Sequence, residues 1–81
     1  MSMDQQEQQR QGQIKKALGE RIRNLRRNKG WSQKAVSELC GVSRSHLSQL
    51  ERGELDAGLA MLAAIAGAFK ITVSRLFNGI A

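Results

Sequence analysis

The chain has 81 residues and a formal net charge of +6 at pH 7, so at most one domain fits in it. Hydrophobic residues make up 41% of the sequence, enough for one small core, and the absence of proline argues against a turn-rich fold of β-strands. The excess of Lys and Arg predicts nucleic acid or an anionic membrane surface as the partner. The alternative is a soluble protein whose basic charge serves no such partner.

Residues 1–13 differ in composition from the rest of the chain. Six of them are Gln, and only their Met residues are apolar. Such a segment buries too little surface to offset the entropy of ordering it. We therefore predict a flexible, Gln-rich arm over 1–13, able to extend the first helix, and a domain over 14–81. The arm either reaches along a nucleic acid or has no function.

A stripe of apolar residues with helical spacing follows the arm. Its members are Ile14, Leu18, Ile22 and Leu25. The stripe predicts a first helix from Gln13 to Asn28, which Gly30 can end in a left-handed conformation.

Four shorter helices are predicted after it. Ser32 is a suitable N-cap for a second helix that ends near Cys40, and Ser43 is suitable for a third, from Arg44 to about Arg52. An apolar helix over 60–69 and a short last helix that starts near residue 72 complete the chain. No stretch alternates with period two, so the prediction is an all-α fold of five helices.

Residues 33–52 combine the features that two helices need in order to cross at a steep angle. Gly41 tolerates the positive φ of a tight turn, and Ser37 is small enough for the close approach of the helices. The positions that face the core are apolar. They are Val36, Cys40, Val42, Leu47 and Leu50. Together these features predict a helix-turn-helix.

Residues 18–77 resemble the phage-repressor and Cro-type helix-turn-helix family, also called the xenobiotic-response-element family. The matching pieces are Ile22-Arg23, Leu25-Arg26, Trp31-Ser32-Gln33, Gly41-Val42-Ser43 and Leu50-Glu51-Arg52-Gly53. The resemblance implies a lambda-repressor-like domain that binds double-stranded DNA, not membranes, with the start of its third helix in the major groove. The chain departs from the family at Ser37, Leu39 and the acidic loop 54–58, so no DNA contact is assigned to that loop.

The resemblance and the helical repeat together predict which residues read bases and which contact phosphates. If Leu47 and Leu50 face inward, the opposite face of the third helix is free for DNA. The predicted base-reading residues are Arg44, Ser45, Ser48 and Gln49, with Arg44 on guanine and Gln49 on adenine. The predicted phosphate contacts are Gln33, Lys34, Arg52 and Arg23. The alternative for both sets is an ordinary solvated surface.

The resemblance also implies an ion pair between Arg26 and Glu51 that links the first and third helices. We interpret this pair as structural, because desolvation offsets most of its attraction. The function expected is transcriptional regulation, most often repression, by a homodimer on a palindrome. Val73, Phe77 and Ile80 form the expected dimer surface, unless Phe77 only closes the core. An antitoxin-type module that binds a toxin or another protein, and a nonspecific nucleic-acid binder, are the alternatives.

Catalysis is not expected. The sequence contains no phosphate-cradling glycine loop and no nucleophile–base pair. His46 and Cys40 provide too few ligands for a metal site, and Cys40 is expected in the core. The single Cys, the short apolar region over 58–69 and the lack of an apolar run like a signal peptide predict a cytoplasmic protein without a cofactor.

Overall fold

A computed structural model describes residues 4–80, which form five α-helices and no strand. The helices are α1 (Gln5–Asn28), α2 (Gln33–Cys40), α3 (Arg44–Glu51), α4 (Leu59–Ala68) and α5 (Val73–Leu76). The predicted all-α fold of five helices is confirmed. Helices α2, α3 and α4 begin and end within one residue of the predicted positions. Within residues 4–80, no helix is both long and apolar enough to cross a membrane.

The start of the first helix was predicted incorrectly at Gln13, because α1 already begins at Gln5. Asp4 caps the helix: its Oδ1 accepts a hydrogen bond from the backbone N–H of Glu7 at 2.8 Å. Gln and Glu are good helix formers, so the segment can be helical without a buried face. The flexibility of the arm stays a prediction, and its first three residues lie outside the described part of the chain.

Serine caps and one glycine set the geometry of the helix-turn-helix. Ser32 Oγ accepts from the backbone N–H of Ala35 at 3.0 Å, and Ser43 Oγ accepts from that of His46 at 3.1 Å. Between the two helices, Gly41 has φ of +73°, in the left-handed region that residues with a Cβ avoid. The turn therefore directs α3 away from α2 at the position predicted from the sequence.

The core lies where α1, α3 and α4 meet the inner faces of α2 and α5. Its largest fully buried side chains are Ile22, Val36, Leu47, Leu50, Ile65 and Leu76. Cys40 is only half-buried at the edge of this core. The rings of Trp31 and Phe69 stack with centroids 5.6 Å apart, which ties the start of α2 to the end of α4.

Helix α1 approaches α3 very closely at Gly19. A Cβ placed on Gly19 would lie 2.5 Å from the carbonyl oxygen of Leu50 and 2.6 Å from that of Glu51. Both atoms belong to the backbone and cannot rotate away. Glycine at this position thus sets the distance between the long first helix and the end of α3.

Candidate nucleic-acid interface

The first turn of α3 carries an exposed polar surface. Arg44, Ser45 and His46 are all exposed, while Leu47 is completely buried. Within residues 4–80, the Arg44 side chain makes no hydrogen bond or ion pair, so its guanidinium donors are available to a ligand. The predicted base-reading residues Arg44 and Ser45 therefore lie together at the start of the helix.

The second half of the predicted base-reading set is less accessible. Ser48 and Gln49 are half-buried. Ser48 Oγ accepts a hydrogen bond from Arg52 Nη1 at 2.6 Å. A hydroxyl that accepts still has its own proton to donate, so Ser48 is left with a donor for acceptor atoms on a base edge.

Gln33, a predicted phosphate contact, is hydrogen-bonded to a carboxylate at the other end of the helix-turn-helix. Its Nε2 donates to Glu51 Oε1 at 3.1 Å. Because an ionised carboxylate only accepts, the NH₂ group of Gln33 must face Glu51, and one N–H of that group remains available. Lys34 is exposed beside it and makes no ion pair within residues 4–80.

Glu51 is the buried centre of this arrangement, with only 2% of its surface exposed. Arg26 donates to both carboxylate oxygens, from Nε to Oε2 at 2.7 Å and from Nη2 to Oε1 at 2.9 Å. The remaining arm of the guanidinium, Nη1, donates to the carbonyl oxygen of Trp31 at 3.0 Å. The expected partners Arg26 and Glu51 are thus in bidentate contact, which links α1, α3 and the start of α2.

The contacts of Glu51 keep its carboxyl group ionised. Burial raises the pKa of Glu51, but hydrogen bonds from Arg26 and Gln33 and the charges of Arg26 and Arg23 lower it further than burial raises it. The net pKa lies below the ordinary value of a glutamate. For Arg26, the hydrogen bond to Glu51 raises the pKa, and burial lowers it by a smaller amount. Both shifts favour the charged forms of the pair.

Arg23 and Arg52, the other predicted phosphate contacts, both have partners within the protein. Arg23 Nη2 donates to the carbonyl oxygen of Glu51 at 3.4 Å, and Arg23 Nε lies 3.6 Å from Glu51 Oε1. Arg52 Nε donates to Glu54 Oε2 at 2.8 Å. Sequence reasoning missed the contacts of Gln33 and Arg23 with Glu51, because no helical spacing connects residues on three different helices.

The residues of the expected dimer surface are partly buried within the protein itself. Val73, Phe77 and Ile80 are half-buried and pack against the core. Ile80 also lines a groove of about 430 Å³ beside α1, together with Ile14 and Ala17. Within residues 4–80, two large apolar side chains are mostly exposed: Leu39 is 59% exposed and Leu59 is 73% exposed. Neither belongs to the expected dimer surface.

The profile of the Helix-turn-helix family HTH_3 matches residues 22–76. The chain belongs to this family. The matched segment runs from the C-terminal third of α1 to the end of α5 and includes the whole helix-turn-helix. The family predicted from the sequence is confirmed.

Similar proteins come from several bacteria. The chain is 35% identical over 60 residues to the competence pilus inhibition repressor of Acinetobacter baylyi, which covers 74% of this chain and 54% of the relative. It is 32% identical over 65 residues to control protein C.SmaI of Serratia marcescens, covering 80% of this chain and 77% of that protein. The chain spans about half the length of several curated relatives, with 54%, 41% and 49% of three of them covered.

Solved structures give the same assignment. The restriction-modification controller protein C.AhdI from Aeromonas hydrophila superposes with a TM-score of 0.76 and 35% sequence identity, covering 78% of this chain and 96% of that one. An HTH_3 family transcriptional regulator from Vibrio cholerae gives a TM-score of 0.80 with 33% identity, covering 86% of this chain and 39% of the other. These neighbours support the five-helix fold.

Proposed function

We propose that the chain is a transcriptional regulator that binds double-stranded DNA at specific sequences and acts as a repressor. The observation that carries the proposal is the exposed first turn of α3, where the free guanidinium of Arg44 stands beside Ser45. Repressor and controller proteins among the similar sequences and structures support it. A role without catalysis and a cytoplasmic location are part of the same proposal.

Base recognition belongs to the outward-facing side of α3, starting with its exposed first turn. The planar guanidinium of Arg44 can donate two parallel hydrogen bonds to O6 and N7 of guanine. Ser45 can donate or accept at the neighbouring base, and Gln49 can pair with adenine once its half-buried side chain turns toward the groove. Ser48 adds its O–H donor, while Arg52 already occupies one of the two acceptor sites on its oxygen.

Phosphate contact belongs to the start of α2. The side chain of Gln33 and the backbone N–H groups of the first turn are donors at the positive end of a helix dipole. Lys34 adds a positive charge beside them. Glu51 supports this contact by holding the Gln33 amide in one orientation. Arg23 has 34% of its side chain exposed and is a weaker phosphate contact, because Glu51 attracts it as well.

A homodimer is the second part of the proposal. One helix-turn-helix contacts few base pairs, and a two-fold axis doubles the contacts on a palindrome whose half-sites lie about 34 Å apart. Val73, Phe77 and Ile80, together with the neighbouring groove, supply the apolar surface for it. A toxin or another protein on the same surface is the alternative occupant.

Selection from a random pool of DNA duplexes tests the proposal. We expect the full chain to enrich a palindromic sequence that survives competition by excess random duplex. Affinity should fall with salt at a slope of about −0.9 per phosphate contacted. Uniform binding to all duplexes would overturn sequence specificity, and an enriched sequence without two-fold symmetry would overturn the dimer on a palindrome.

A further inference from the structure

The guanidinium of Arg52 is held between two acceptors at the end of α3. Its Nε donates to Glu54 Oε2 at 2.8 Å, and its Nη1 donates to Ser48 Oγ at 2.6 Å. The side chains of Arg52 and Glu54 are 50% and 56% exposed, so solvent and ligands reach both. Arg52 thus lies on the outer surface of α3 with part of its hydrogen-bonding capacity already used.

The carboxylate of Glu54 occupies Arg52 in the way that a phosphate would. Carboxylate and phosphate oxygens are both anionic acceptors that match the donors of a guanidinium fork. A phosphate that takes the Nε donor must first displace Glu54, and it then meets the released carboxylate as a nearby negative charge. Glu54 and a phosphate therefore compete for Arg52.

The backbone keeps Glu54 in position for this contact. Its N–H donates to the carbonyl oxygen of Gln49 at 2.9 Å, and the N–H of Gly53 donates to the carbonyl oxygen of Leu50 at 3.0 Å. The first residues after α3 are in this way attached to its last turn. Asp56 lies in the same loop and is exposed, but its side chain makes no hydrogen bond or ion pair within residues 4–80.

We propose that Glu54 is an internal competitor of DNA phosphate for Arg52 and thereby lowers the affinity of this protein for DNA. The inference rests on the proposed DNA-binding function and adds a residue that limits its strength. Exposed ion pairs contribute little in water, so the effect is moderate, roughly two- to fivefold in affinity. Arg52 also donates to Ser48 Oγ from this position, which keeps one acceptor site of that hydroxyl occupied.

The test compares Glu54→Gln with Asp56→Asn on a short duplex of mixed sequence. Each variant removes one negative charge from the same loop, but only the first replaces the charged acceptor of Arg52 with a weaker, neutral one. We expect Glu54→Gln to tighten binding roughly two- to fivefold. We also expect it to steepen the salt dependence by about 0.9, the value for one additional phosphate contact. Asp56→Asn should give less than half of that gain and leave the slope unchanged.

The decisive measurement repeats the Glu54→Gln comparison in a protein that also carries Arg52→Ala. Without Arg52, the gain from Glu54→Gln should shrink to the gain from Asp56→Asn. Equal effects of the two loop variants, or a gain from Glu54→Gln that persists without Arg52, would overturn the proposal. A wild-type chain that binds its enriched duplex no better than the mixed one would overturn the proposed sequence specificity instead, and the loop comparison on the mixed duplex would still stand.

Discussion

Glu51 is the residue on which the candidate interface depends most. Its carboxylate is buried, yet it has hydrogen-bond donors from Arg26 and Gln33 and a second positive charge from Arg23. A buried charge with good partners stabilises less than the number of its contacts implies, because desolvation offsets much of the attraction. Its main effect is geometric: it fixes α1 and the start of α2 relative to the end of α3.

The pairing of Arg26 with Glu51 makes a prediction for unfolding experiments. Arg26→Met or Glu51→Leu alone should lower the free energy of unfolding by about 3–5 kcal/mol, because each leaves a buried charge without its partner. The double variant should be at least as stable as the less stable single variant. Urea denaturation of the three variants measures this. A double variant that folds worse than either single variant would contradict the pairing.

The lowered pKa of Glu51 predicts how stability depends on pH. A carboxyl group with a lower pKa in the folded than in the unfolded state stabilises the fold fully above its unfolded pKa of about 4.3. That contribution is lost as the pH falls through the folded pKa. The free energy of unfolding of the wild type should therefore decrease below this range, and the Arg26→Met, Glu51→Leu variant should show a shallower decrease. Equal slopes for both proteins would contradict the assignment to Glu51.

At the scale of the elements, the approach of α1 to α3 at Gly19 makes a second stability prediction. Gly19→Ala forces a Cβ against two backbone carbonyl groups and should destabilise the fold by about 1–3 kcal/mol. Gly12→Ala is the matched control on the same helix, because nothing lies within 4 Å of its Cβ. It should stabilise the protein by about 0.5–1 kcal/mol, since alanine favours a helix interior.

Thermal unfolding of the two alanine variants measures this difference. A Gly19→Ala protein as stable as the wild type would show that α1 can move away from α3. A Gly12→Ala protein without any gain would show that the first turns of α1 contribute nothing to the folded state.

Most of the helices could be predicted from the sequence, because their ends carry local signals. Ser32 and Ser43 cap α2 and α3, and Gly41 marks the turn between them. The start of α1 could not be predicted in the same way, because residues 4–13 contain no apolar side chain that would mark a buried helix face. Helix propensity and the cap at Asp4 act without burial there.

The candidate site was less predictable than the fold. The family resemblance led to Arg26 and Glu51, but the contact of Gln33 with Glu51 joins the first residue of α2 to the last residue of α3. The pairing of Arg52 with Glu54 likewise depends on how the chain turns after α3. Such contacts depend on tertiary placement and side-chain rotamers, for which no sequence pattern exists.

At the scale of the whole molecule, the proposed homodimer predicts a change in sedimentation. We expect the free protein at high micromolar concentration to contain a species of twice the 9.0 kDa chain mass. Ile80→Ser should shift it toward monomer by removing apolar surface from the proposed interface. Leu59→Ser is the control, because it removes an apolar side chain that is 73% exposed elsewhere. Only monomer in the wild type, or equal effects of the two variants, would contradict this interface.

Arg44→Ala tests most directly whether the first turn of α3 reads base pairs. The control is Arg27→Ala, which removes the same charge from an exposed position on α1. Affinities for the enriched duplex and for its single base-pair variants should be measured for both proteins. Arg44→Ala should lose about 1–3 kcal/mol on the enriched duplex and lose discrimination at one base pair in each half-site, whereas Arg27→Ala should keep its sequence preference. An Arg44→Ala protein that weakens equally on every duplex would contradict base reading by this turn.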